Sequence, residues 1–169
     1  MNTHPQRSAS PVQLRELRFE IEEFNAEYAH TLDEFDLDRW VEFFTEDALY
    51  RITARENFDS NLPLGLVYCE GRGMLKDRAL AILRTTTFAP RYLRHFLGPA
   101  RILDVGDDGA IEARSNYMVV QTELERPSQI LQSGQYVDRF VRAGGALRLR
   151  ERHCVYDSLI IPNALVFPV

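Results

Sequence analysis

"AIEARSNYMVVQTELERPSQILQSGQYVDRFVRAGGALRLRERHCVYDS", residues 110–158, reads as three long β-type runs in succession. The runs are "AIEARSNYMVVQTEL", "QILQSGQYVDRFVR" and "ALRLRERHCVYDS", parted only by "ERPS" and "AGG". Pro, Ser and paired Gly are turn chemistry, and turns this short join antiparallel neighbours. An earlier run, "LRHFLGPARILDV" (93–105), enters this series through "GDDG", so the chain from Leu93 onward predicts a meander of strands.

Alternation along the last run sorts its side chains. Leu147, Leu149, Glu151, His153 and Val155 share one face, and Arg148, Arg150 and Arg152 share the other. If the leucines face the core, Glu151 and His153 do too. By the same rule His95 lies with Leu93 and Leu97 on the inner side of its strand.

Upstream of the meander the periodicity is helical. Leu14, Leu17, Ile21, Phe24, Tyr28 and Leu32 recur at gaps of three and four, with Glu16, Glu20, Glu23 and Glu27 on other faces. Asp36 is placed to cap a short helix, "LDRWVEFF", whose Trp40, Phe43 and Phe44 bring a large aromatic payload, and "TEDA" ends it. "ALYRITAR" (48–55) alternates as a first strand, and 56–71, rich in Asn, Asp, Ser, Pro and Gly, reads as irregular connection. A third helix is expected over "MLKDRALAILRT", burying Leu75, Ala79, Ile82 and Leu83, with the Thr run before Pro90 closing it. Helices first and strands afterwards predict an α+β domain, with N-terminal helices packed on a bent, mostly antiparallel sheet.

The 169 residues suit one domain: a tail over 1–12, where "MNTHPQRSASPV" is small and polar, and a single domain over 13–169. No run reaches the roughly 20 apolar residues of a membrane span, and no signal-peptide core is present, so a cytoplasmic location is expected. The closing "LIIPNALVFPV" is so apolar that it is expected to cover its own sheet or another subunit.

A net charge of −5 argues against general nucleic-acid binding. The charge is unevenly spread: from Glu16 to Asp47 twelve acidic residues stand against Arg18 and Arg39, and from Arg72 to Arg101 seven basic residues stand against Asp77. Such blocks are either solvated faces or complementary contacts between subunits. Nineteen of the twenty basic residues are arginine, the better residue for docking surfaces, although a coding bias would give the same count.

Few residues point to chemistry in this chain. Cys69 and Cys154 lack ligand-spaced partners and read as free buried thiols; His4, His30, His95 and His153 are scattered, so no metal site is expected. "GRG" at 71–73 lacks the features of a phosphate loop, and no Ser, Thr or Cys sits in a nucleophile motif. A curved sheet wrapped round helices has a mouth that could hold a small molecule. Asp33, Tyr50, His95, Glu151 and His153 are then candidates for an acid–base site in that cavity, or else satisfied core and rim residues.

Taken together, "NAEYAHTLDEFDLDRWVEFFTEDALYRIT", "ENFDSNLPLGLV", "MLKDR", "RYLRHFLG", "SGQYVDRF" and "LRLRERHCVYDS" resemble, in this order, the small (beta) subunit of aromatic-ring-hydroxylating dioxygenases. The resemblance covers roughly residues 15–169 and looks closest to small subunits of the terephthalate dioxygenase and salicylate 5-hydroxylase kind. It implies the cone-shaped fold of nuclear transport factor 2, also called cystatin-like, which steroid isomerases and scytalone dehydratase share. It implies a homotrimer of this chain supporting three large (alpha) subunits, an α3β3 assembly. The large subunit of this family carries the Rieske 2Fe–2S cluster and a mononuclear Fe(II), with electrons from NAD(P)H through a reductase. On this reading the chain has no catalytic centre, and Asp77, Arg78, Arg94 and His95 serve structure or docking. The alternative is a stand-alone isomerase or dehydratase of the same fold, using a cavity His or Asp.

Overall fold

The computed structural model describes residues 10–85, 90–158 and 167–169. Its first element, α1 (Pro11–Asp33), starts inside the stretch expected as tail. The Ser10 side chain accepts from the Gln13 N–H while the Gln13 side chain accepts from the Ser10 N–H, and Pro11 stands at the first helical position. This capping box satisfies donors that a helix start leaves free. Ile21, Tyr28 and Leu32 of the predicted stripe are buried, together with Asn25 and Thr31.

The second helix, α2 (Leu37–Val41), is capped by Asp36 as expected but ends early, and Phe44 opens strand β1 (Phe44–Ala54). The stretch expected to be irregular holds a short helix, α3 (Arg55–Asp59), and a four-residue strand, β2 (Val67–Glu70). Four residues are too few for alternation to stand out; β2 exists because it pairs antiparallel with β1, Leu49 opposite Glu70. Helix α4 (Gly71–Thr85) buries Leu75, Ala79 and Ile82, but Leu83 is exposed. The residues expected to close it lie at 86–89, outside the described residues.

The run 93–105 is two strands, not one: β3 (Arg91–Leu97) and β4 (Arg101–Val105), broken at Gly98-Pro99-Ala100. Both pair antiparallel with the long β5 (Ile111–Glu123), β4 along its first part and β3 along its second. β6 (Gln129–Ala143) and β7 (Ala146–Tyr156) complete the predicted meander. The sheet order is β2-β1-β7-β6-β5-β3, with β4 also on β5; β1 and β7 run parallel and the other pairs antiparallel. Helices α1, α2 and α4 pack within its curve, and a hydrophobic core runs from Ile21 of α1 to Val169.

One expectation fails at a bulge. In the β6–β7 ladder Arg139 faces Glu151 but Phe140 faces Leu149, leaving Arg150 as an extra residue on β7. An extra residue reverses the facing of every side chain beyond it. Leu147 and Leu149 point inward before the bulge; after it, Arg152 and Cys154 are the residues with no exposure, and Glu151 and His153 move to the outer side. The closing apolar run is described only at its end, where Phe167 and Val169 are buried in the chain's own core; 159–166 lie outside the described residues.

Candidate functional site

The interior of the curve, for which a cavity is one of two readings, holds the largest fully buried side chains of the described residues, Trp40, Arg152, Tyr28, Tyr50 and Tyr136. Arg152 holds the Asp138 carboxylate with two nitrogens at 2.9 and 2.7 Å and donates to Asn25 Oδ1 at 2.6 Å. Its guanidinium carbon lies 4.2 and 4.1 Å from the ring centres of Tyr28 and Tyr136. Burial works against its charge, but the Asp138 carboxylate outweighs burial and holds its pKa above the ordinary arginine value.

A second set of bonds fastens Val169 into this interior. Tyr28 and Tyr50 each donate a hydroxyl to the Val169 carbonyl oxygen at 3.2 Å, and Val169 N–H donates back to Tyr50 at 3.0 Å. Trp40 Nε1 donates to the Tyr28 hydroxyl at 2.9 Å, and the Cys154 thiol reaches the same carbonyl at 3.4 Å. Burial pushes Tyr28, Tyr50 and Cys154 up, so all three keep their protons and donate. Tyr50 therefore lies inside the cone, with its hydroxyl engaged by Val169.

Asp33 and His95 do meet, at the side of the cone rather than inside it. Asp33 is the last residue of α1, and His95 is mid-strand in β3. His95 Nδ1 lies 2.7 Å from Asp33 Oδ1, and the His95 backbone N–H donates to both carboxylate oxygens at 3.1 and 3.3 Å. Arg94 Nη1 stands 3.9 Å from Asp33 Oδ2. The His95 ring has no exposure, and its Nε2 finds no hydrogen-bond partner among the described residues. The pair borders an open cleft of about 530 Å³ that also includes Glu22, His30 and Pro99. Glu22 accepts from the Ala100 N–H at 3.0 Å, and the Arg18 hydrogen bond holds its carboxyl below the usual range. Helix α1 is thus stitched to β3 and to the β3–β4 corner by two carboxylates.

The other candidates fall apart from this pair. Glu151 and His153, expected in the cavity, are on the outer side of the sheet, 3.8 Å from each other. There His153 borders a pocket of about 470 Å³ with Arg51 and Phe58. Asp77 is exposed on α4; Arg78 on the same helix is half-buried, near enough to Cys69 for its charge to oppose the upward push of burial on that thiol. Sequence reasoning missed Arg72, which bonds Glu42 and, at 2.8 Å, Glu46, and so clamps α4 to the α2–β1 junction. Neither Arg72 nor Arg152 carries a local signal, since both act through partners distant in sequence. Among the described residues no group of three or more His, Cys, Asp or Glu is arranged to hold a metal ion. Cys69 and Cys154 are both buried and free.

Helices packed into a curved, mostly antiparallel sheet define a protein of the nuclear transport factor 2-like class; a chain assigned as a scytalone dehydratase from Novosphingobium aromaticivorans shares the fold, with a TM-score of 0.63 at 24% identity. Within that class, the family model for the ring hydroxylating beta subunit matches residues 27–163. The chain is 36% identical to the anthranilate 1,2-dioxygenase small subunit of Burkholderia cepacia, covering 89% of this chain and 93% of that one. It is 33% identical to the beta 2 subunit of the terephthalate 1,2-dioxygenase terminal oxygenase component of Comamonas sp, covering 89% and 97%. A crystal structure of a beta subunit assigned to the aromatic-ring-hydroxylating dioxygenases of N. aromaticivorans superposes with a TM-score of 0.84 at 38% identity, covering 92% of this chain and 99% of that one. The chain belongs to the ring-hydroxylating dioxygenase beta-subunit family. It is a small subunit of an oxidoreductase complex, and a large-subunit partner follows from that membership.

Proposed function

We propose that this chain is the non-catalytic supporting subunit of an oxygenase whose large subunit inserts oxygen from O₂ into an aromatic carboxylate. The observation that carries this is the filled cone: where an enzyme of this fold would seat a substrate, Arg152, Trp40 and three tyrosines pack on one another and on Val169. The aromatic-carboxylate class is drawn from the relatives named for anthranilate and terephthalate. In this reading the large subunit holds the Rieske cluster and the mononuclear iron, and NAD(P)H-derived electrons reach it through a reductase in the cytoplasm. Three copies of this chain form a ring under three large subunits. His95 acts structurally through Asp33, while Asp77, Arg78 and Arg94 contribute to the surface between subunits.

Native mass spectrometry with iron analysis, on the tagged chain purified gently from its own host, tests the assembly. A larger, iron-bearing chain in equal number with three copies of this one is the expected result. A monomer or dimer without a partner would overturn the reading.

A further inference from the structure

The outer side of the β1–β7 pair carries a pocket separate from the packed interior. Arg51 and His153 are register partners there, opposite in facing to Tyr50, Ile52 and Arg152. The loop after α3 folds back over them. Thr53 donates its hydroxyl to the Leu64 carbonyl at 2.6 Å, and Leu66 N–H bonds Ile52 O at 2.8 Å. The fit is close enough that a Cβ on Gly65 would lie 2.8 Å from Ile52 O.

Beneath the loop is the pocket of about 470 Å³, with walls that include Phe58, Leu62, Leu64 and Tyr68. The Arg51 guanidinium carbon stands 4.8 Å from the Tyr68 ring centre, and the Phe58 ring meets His153 edge-on at 5.9 Å. Arg51 Nε and His153 Nε2 are both buried without a hydrogen-bond partner among the described residues. Buried nitrogens that the fold leaves without a hydrogen bond, the Glu151 carboxylate standing no nearer than 3.8 Å to His153 Nε2, beside a pocket of small-molecule size, leave room for a bonding partner from outside. A cation beside an imidazole selects an anion, and the planar guanidinium fork suits a carboxylate. The apolar walls select the rest of the ligand. A single acidic side chain from another protein would leave most of this volume empty.

We infer that this pocket binds a small carboxylate with a ring-sized apolar body, the carboxylate on Arg51 and His153 and the body between Phe58 and the leucines. The inference does not depend on the catalytic assignment above, because the site is built from this chain alone.

Calorimetric titration of the full chain with benzoate, and with acetate for comparison, tests it. One saturable benzoate site per chain is expected. Arg51→Leu should weaken it at least about tenfold, the usual scale for losing a charge-assisted contact. Phe58→Ala should weaken benzoate more than acetate, and Leu64→Trp should block the pocket while keeping its charge. Thermal melts confirm that each variant is folded; if Arg51→Leu is not, Leu64→Trp decides. Absence of saturable binding, or equal affinity in wild type and Leu64→Trp, overturns the inference. So does Arg51-dependent binding that disappears when the large subunit is added, which would assign the pocket to a group of the partner.

Discussion

A guanidinium taken out of water costs several kcal/mol unless its partners are nearly complete. Arg152 has two carboxylate oxygens, an amide oxygen and two tyrosine faces around it. Removing one partner is therefore worse than removing both. Asp138→Leu should cost about 3–5 kcal/mol by leaving a buried charge uncompensated, and Arg152→Met with Asp138→Leu should recover much of that loss. Urea denaturation of the four chains in this cycle measures it. His153 makes a second prediction. Burial, then the neighbouring Arg51 charge, lower its pKa from the ordinary 6.5. The unfolded chain then binds the proton more readily, so this contribution to stability is complete above about pH 6.5 and is lost as pH falls toward the folded pKa. Denaturation midpoints between pH 5 and 8 should show a smaller acid loss in His153→Gln than in wild type. At this scale the sequence identified Asp33 and His95 as candidates but not as a pair, because 62 residues separate them.

At the scale of elements, one residue sets what β7 shows to the core. With Arg150 deleted, plain alternation alone would place Leu147, Leu149, Arg152 and Cys154 on one face, so the strand could run without the bulge and keep the same core. The deletion should therefore retain a cooperative thermal transition, and Arg150→Ala should melt close to wild type; loss of the transition on deletion would show that the bulge itself is required. Simple alternation could not reveal this bulge, since "LRLRERHCV" alternates without a break. For the same reason Glu151 and His153 were expected inward. Periodicity did expose α1, the burial of α4 through Leu75, Ala79 and Ile82, and the β5–β6–β7 meander, all of which rest on long patterns or local turns. The parallel β1–β7 pairing, which builds the Arg51–His153 pocket, joins strands about a hundred residues apart and has no turn to announce it.

For the whole molecule, the opposed charge blocks of the sequence find part of their explanation inside one chain. Arg72 closes on Glu42 and Glu46, Arg94 approaches Asp33, and Glu22 takes the Ala100 N–H, each contact joining the acidic segment to the basic one. Such exposed or half-exposed pairs orient elements more than they stabilise them. The stability of the fold lies instead in the filled cone, and Trp40 is its largest fully buried member. Trp40→Gly would leave a void shaped for an indole, with the Tyr28 hydroxyl as a waiting acceptor, at a cost of about 3–5 kcal/mol. Free indole should raise the melting temperature of that variant and leave wild type unchanged; equal shifts in both would count against it. The packing around Trp40 thus makes this protein convertible into a subunit whose folding, and with it the supply of assembled oxygenase, is switched on by a small diffusible molecule.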